Sequence, residues 1–174
     1  MLISILDGYN TIDAKKISKE NIDNILSFYK EKEENHFSDD EYIGVLSIPD
    51  INLERGFYSI NSPQNNLSKN ILFLKESIID SKVENTIILA AHRGNSKVSF
   101  FNDLDKLKLG CLIKLNYENK EYTYTLEYRY DEIKDGHLNI YRDKNKSSLV
   151  LITCNKIRKK YQTIYVAYRR DDIK

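Results

Sequence analysis

Hydrophobic and polar positions follow two different rhythms along this chain. Over residues 13–34 the apolar positions Ile17, Ile22, Ile25, Leu26 and Tyr29 recur every three to four residues, with Lys and Glu filling the other faces. That spacing predicts an amphipathic helix. The polar stretch Asn35–Glu41 ends it, so residues 1–41 are expected to form a helical appendage on a main fold spanning 42–174. From Tyr42 the rhythm changes to short apolar runs separated by turn residues, the signature of strands. Tyr42–Ile48 is the first run, punctuated by Pro49-Asp50. Ile51–Ile60 is the second, with Gly56 expected at a bulge. Asn61–Asn66 reads as a polar loop and Leu67–Ser77 as a short helix. Thr86–Ala91 is a buried strand that runs into His92-Arg93-Gly94-Asn95. Val98–Leu107 reads as a short helix with Phe101, Leu104 and Leu107 on one side, broken by Gly110.

Cys111–Leu115, Glu121–Tyr130 and the region up to Ile140 are expected to supply further strands. Tyr122, Tyr124, Leu126, Tyr128 and Tyr130 fall on one face, and Thr123, Thr125, Glu127 and Arg129 on the other, a period of two. Leu149–Thr153 is an unbroken run of apolar and β-branched residues, which predicts a strand buried on both faces, and it ends in Cys154. Thr163–Tyr168 supplies the last strand. About eight strands with short helices between them predict an all-β fold with short helices, closed or nearly closed into an eight-stranded β-barrel.

Composition narrows the picture. A chain of 174 residues fits one domain with a sizeable core. With 41% apolar and 30% charged residues it is not a disordered chain. The net charge of +1 gives no general argument for nucleic acid. Charge is uneven, basic over 154–174 and acidic over 31–41, and both stretches read as solvated faces. Thirteen tyrosines and no tryptophan favour a sheet. No run of 18 apolar residues is present to cross a membrane as a helix. Met1–Leu6 is too short for a signal-peptide core and is compatible with the stub of an anchor.

Two strands end in a reactive side chain, Thr86–Ala91 in His92 and Leu149–Thr153 in Cys154. A cysteine nucleophile needs thiolate character, which a neighbouring imidazole supplies, and the same imidazole can later protonate a leaving amine. Each residue also has a plain structural reading, a packed thiol and a satisfied histidine at a strand end. Cys111, after Gly110, reads as packing. The two cysteines lack CxxC spacing and are expected to be free. His36 reads as exposed in the acidic linker and His137 as a turn residue. No His/Cys/Asp cluster has metal-ligand spacing and no glycine-rich phosphate loop occurs, so neither metal nor cofactor is expected.

Four segments in order resemble the sortase family. Ile43-Gly44-Val45-Leu46-Ser47-Ile48-Pro49 is similar to the family's opening strand, and Leu89-Ala90-Ala91-His92-Arg93 to its Gly-His segment, with Ala91 where Gly is usual. Phe100–Gly110 resembles its Phe-x-x-Leu-x-x-Leu-x-x-Gly segment. Leu151-Ile152-Thr153-Cys154 resembles the Thr-Leu-x-Thr-Cys signature, with Val150 in place of the first Thr. The resemblance runs from about Tyr42 to Tyr168. It implies a cysteine transpeptidase that cuts a short sorting motif near the C-terminus of a secreted protein. Cys154 would form the thioester and His92 would move the proton. The acceptor would be an amine, on a cell-wall peptide precursor or on a pilin lysine. It also implies the extracytoplasmic face of the cell membrane, through an anchor not seen in this chain.

The family carries an Arg at the start of the last strand, and here the aligned residue is Gln162. A Gln amide still donates to a developing oxyanion, without the charge. Arg158 and Arg93 are the candidates to supply that charge, and with Thr153 they are the candidate substrate-binding positions. Residues 131–147, the loop region that usually contributes to substrate choice in the family, are polar. Two other readings follow: a hydrolytic cysteine peptidase on the same scaffold, and a catalytically weakened barrel that only binds peptides. The Gln at position 162 favours the latter.

Overall fold

The computed structural model describes residues 41–79 and 85–170. The expected helix over 13–34 lies outside the described residues. Eight strands form one sheet: β1 Gly44–Ile48, β2 Leu53–Phe57, β3 Leu72–Phe73, β4 Thr86–Ala90, β5 Leu112–Tyr117, β6 Lys120–Ile133, β7 Ser148–Cys154 and β8 Tyr161–Arg169. Their order is β2-β1-β5-β6-β8-β7-β4-β3. A parallel bridge between Phe57 and Ile71 joins the two edges, so the sheet is a nearly closed barrel. All neighbours pair antiparallel except β4 and β7, which run parallel.

The barrel interior is filled from every strand. Leu46, Phe57, Phe73, Leu89, Ile113, Leu115, Leu126, Leu149, Leu151 and Tyr165 are buried there together. Strand β5 shows the origin of the pattern, with Ile113, Leu115 and Tyr117 turned in and Leu112, Lys114 and Asn116 turned out. The β5–β6 hairpin turns through Glu118 and Asn119, both at positive φ, as a two-residue type I′ connection requires. Four adjacent strands, β6, β8, β7 and β4, are also covered outside. Ile88, Val150, Ile152, Ile164 and Val166 form a second cluster there, with Tyr128, Tyr130, Leu138, Ile140 and Tyr168 packed against it. This double cover explains why the runs Ile87–Leu89 and Leu149–Ile152 are apolar without alternation.

The structure corrects several sequence expectations. Gly56 is not a bulge, because β1 and β2 pair without a break from Gly44↔Phe57 to Ile48↔Leu53. A Cβ at Gly56 would lie 2.2 Å from the Tyr42 ring, so the glycine makes room for that ring. Leu67–Ser77 is turns and the short strand β3 rather than a helix. Its backbone is drawn out by pairing with β4 and by Asn65, whose side chain accepts from Phe73 N–H at 2.7 Å and donates to Phe73 C=O at 2.9 Å. Val98–Leu107 contains only the 3₁₀ turn Leu104–Lys106, although Phe101, Leu104 and Leu107 are buried as expected. No strand forms between Ile133 and Ser148; that region is a loop laid on the outer cluster.

The regular alternation across β6 is also broken. Its pairing with β8 slips between Leu126 and Tyr128, leaving Glu127 unpaired. Tyr122, Tyr124 and Leu126 therefore pack with the interior, whereas Tyr128 and Tyr130 pack on the outer cluster. One extra residue reverses the faces, as a β-bulge must. The displaced tyrosines hold the loop down. Tyr130 Oη donates to Asn139 C=O at 2.8 Å and accepts from Tyr141 N–H at 3.0 Å, and Tyr168 Oη accepts from Asp143 N–H at 2.7 Å. Partial burial, then hydrogen bonding to Tyr168, pushes the Tyr128 phenol up, so it stays a neutral donor to Tyr141 C=O.

Candidate functional site

Strand β7 sits between β8 and β4, the centre of the doubly covered half of the barrel. Only its last residue, Cys154, is partly exposed. Cys154 is free, and it shares its face of β7 with Val150 and Ile152, so the thiol belongs to the outer side of the sheet. Directly across on β8 stands Gln162. Gln162 in turn faces Glu132 on β6. A three-strand ladder, Glu132, Gln162 and Cys154, therefore crosses the end of the outer face.

His92 comes from the other side of β7. The parallel register Ala90↔Ile152 continues through the bond from Ala91 N–H to Ile152 C=O, 3.2 Å. His92 and Cys154 each lie two residues beyond that last pair, Ala90 and Ile152. Three contacts fix this corner. Thr153 Oγ1 donates to Ala91 C=O at 2.9 Å, Phe101 N–H donates to His92 C=O at 3.2 Å, and the Asn102 amide bonds both backbone groups of Gly94. The Phe100–Gly110 segment thus buttresses the turn that carries His92. The His92 side chain is half-buried and makes no hydrogen bond to the described residues.

The other expected site residues are engaged elsewhere. Thr153 is buried and its hydroxyl serves the Ala91 clamp. Arg93 forms an ion pair with Asp105 at 2.6 Å, and Lys156 meets the same carboxylate at 3.3 Å. Arg158 pairs with Asp131 and lies over the Tyr161 ring, 4.1 Å from its centroid. Asp131 also accepts from Thr163 Oγ1 at 2.8 Å, on the face of β8 opposite Gln162. Partial burial works to raise the Asp131 carboxyl, but the hydrogen bonds from Thr163 and Arg158 outweigh it and hold the group below the ordinary carboxylate value. Asp105 is held low in the same way, burial opposing and Lys156 and Arg93 prevailing. Cys111 is buried in the barrel core, and burial, with a further push from the Asp50 charge, raises its thiol. His137 is exposed in a turn whose N–H bonds Asp135.

The residue that sequence reasoning missed is Lys134, the first residue past β6. Its Nζ donates to Cys154 Sγ at 3.0 Å and reaches Lys159 C=O at 3.5 Å. Its backbone N–H is fixed to Lys160 C=O at 2.9 Å. Lys134 lies two residues beyond Glu132, so it extends the outer-face ladder towards the thiol. Nothing within its own stretch of sequence signals this; the contact needs the β6-β8-β7 order. A surface depression of about 410 Å³, lined by Cys154, Arg93, Gly94, Asn102, Asn155 and Lys156, opens beside the thiol. Free thiol, neighbouring imidazole turn, amide opposite and open depression together suit covalent catalysis on an acyl substrate.

Comparisons with known proteins agree with this layout. A family model described as a sortase domain matches residues 46–170. No curated protein is a significant sequence match. A lid mutant of sortase A from Corynebacterium diphtheriae superposes with TM-score 0.67 at 20% identity, covering 91% of this chain and 83% of its own. Sortase C1 from Streptococcus agalactiae, in complex with MTSET, gives 0.65 at 19% identity, covering 92% and 95%. A Clostridium perfringens sortase D5 transpeptidase gives 0.65 at 18%, covering 83% and 89%. Three sortase classes match about equally well, so the fold is shared and no class is singled out.

Proposed function

The chain belongs to the sortase family, and on that footing we propose that it is a cysteine transpeptidase that cuts a C-terminal sorting motif of a surface protein and joins the cleaved chain to an amine. The amine is carried by a cell-wall peptide precursor or a pilin lysine. In this reading His92 takes the Cys154 proton, and the thiolate attacks the scissile carbonyl. A C–S bond forms, the oxyanion collapses, the C–N bond breaks, and the leaving amine takes the proton from His92. The incoming amine then gives a proton to His92 and attacks the thioester; a C–N bond forms, the C–S bond breaks, and the departing sulfur takes the proton back from His92 as the thiol. The Gln162 amide donates to the oxyanion in both steps.

The observation that carries the reading is the meeting of three strand ends, with Cys154 flanked by Gln162 on β8 and by the His92 turn after β4. The loop over 134–147, strapped down by Tyr130 and Tyr168, contributes to the choice of motif. The site works on the extracytoplasmic face of the membrane, as in other sortases; among the described residues no helix is long and apolar enough to cross it. A library of peptide motifs presented with an amine acceptor tests the proposal. A ligated product is expected. Hydrolysis alone in saturating amine would make the chain a peptidase, and binding without cleavage would make it a peptide-binding barrel.

A further inference from the structure

Several cations gather at this end of the barrel, and three of them are committed. Arg93 and Lys156 neutralise Asp105, and Arg158 neutralises Asp131. Lys134 has no carboxylate partner among the described residues; its ammonium points at sulfur, 3.0 Å from Sγ. Its main chain is pinned to Lys160 and its ammonium also touches Lys159 C=O, so two contacts besides the thiol hold it in place. An ammonium at that distance attracts negative charge carried on sulfur. It also lies within reach of a carbonyl oxygen bonded to a carbon on Sγ, where negative charge develops during acyl transfer.

We propose that Lys134 is a catalytic residue of this site: it supplies, from the end of β6, the positive charge that β8 lacks with Gln162 at its start. The proposal rests on the transpeptidase reading for its role in turnover. No proton moves to or from Lys134 in this scheme. The thiol proton still passes to His92 and on to the leaving amine, and Lys134 only stabilises charge, on sulfur before attack and on oxygen after it. The work of one arginine is thereby divided, with charge from Lys134 and a neutral, directional hydrogen bond from Gln162.

The charge is read directly by comparing alkylation of Cys154 with iodoacetate, an anion, and iodoacetamide, its neutral counterpart, on the full chain, with the labelled cysteine located by mass spectrometry. Lys134→Met and Lys134→Gln are expected to lower the iodoacetate-to-iodoacetamide rate ratio at least fivefold, while Lys134→Arg keeps it. Lys160→Met, which removes a nearby cation whose side chain does not touch sulfur, keeps it too. Thioester formation with a peptide substrate is expected to fall on the order of 100-fold in Lys134→Met, the loss typical of one oxyanion-stabilising group, and to recover in Lys134→Arg. An unchanged ratio in both neutral variants overturns the proposal. So does an Arg variant as impaired as the Met variant in both readouts, since position rather than charge would then matter. Alkylation needs no substrate, so a protein that ligates no peptide defeats the transpeptidase reading and leaves the Lys134 result readable.

Discussion

Removing the Thr153 hydroxyl should loosen the corner that holds His92. The Thr153→Val substitution keeps the shape of the side chain and deletes one donor. That donor is buried, and it bonds Ala91 C=O at 2.9 Å, the last link between β7 and the chain leading into His92. A buried hydrogen bond contributes about 0.5–1.5 kcal/mol net, and a carbonyl left unsatisfied costs about 1–3 kcal/mol. Ala91 still donates its own N–H to Ile152, so the strands remain joined and the lower part of that range applies. The expected loss is about 1–2 kcal/mol, or roughly 2–8 °C in Tm for a chain of this size. Because the next residue is His92, peptide ligation should fall by more than the fraction unfolded can explain. Thr153→Ser should restore both properties in large part. Urea titration at 25 °C gives the stability, and ligation assayed well below the transition gives the activity. A Thr153→Val protein as stable and as active as the wild type would refute the argument that this hydroxyl positions the imidazole turn.

The remaining expectations concern the core, the charge network and the loop. A Cβ at Gly44 would lie 2.5 Å from both the Phe57 ring and Asn116 C=O, so Gly44→Ala should cost about 1–3 kcal/mol in urea unfolding. The Asp131 carboxyl is held below its ordinary value of 3.8, so its contribution is fully present above about pH 4 and is lost as pH falls through its folded value. Asp131→Asn should therefore be less stable than the wild type at pH 7, with the gap narrowing as pH falls below the ordinary carboxylate value of 3.8 in a series of urea midpoints. Tyr130→Phe removes both hydrogen bonds to the 139–141 backbone, and hydrogen exchange there should quicken while the β7 core stays protected.

Much of this arrangement was legible in the sequence, and for a physical reason. Leu149–Thr153 and Thr86–Ala91 are covered on both faces, so their apolar runs stand out whatever surrounds them. The residues that end those runs, Cys154 and His92, each follow the last parallel pair of β4 with β7, Ala90 with Ile152, by two residues. Gln162 stands opposite Cys154 through the antiparallel pairing of β7 with β8. What could not be read was set by longer-range competition. Leu67–Ser77 has helical spacing, but Asn65 and β4 claim its backbone. A single unpaired residue, Glu127, reversed the tyrosine faces of β6, and no local pattern marks it. Arg158 and Arg93 were reasonable cations for the thiol until Asp131 and Asp105 were seen beside them. Lys134 meets Cys154 only across three strands, a relation invisible before the strand order is known.

The central claim is that Cys154, and not Cys111, carries the acyl group. Its most direct test is intact-mass measurement after incubation with a cleavable sorting-motif peptide and no amine acceptor. The account predicts an adduct equal to the N-terminal part of the peptide, mapped to Cys154, present in Cys111→Ala and absent in Cys154→Ala. Cys111, buried in the core with its thiol pushed up, should stay unmodified. An adduct that persists in Cys154→Ala, or that maps to Cys111, would contradict it.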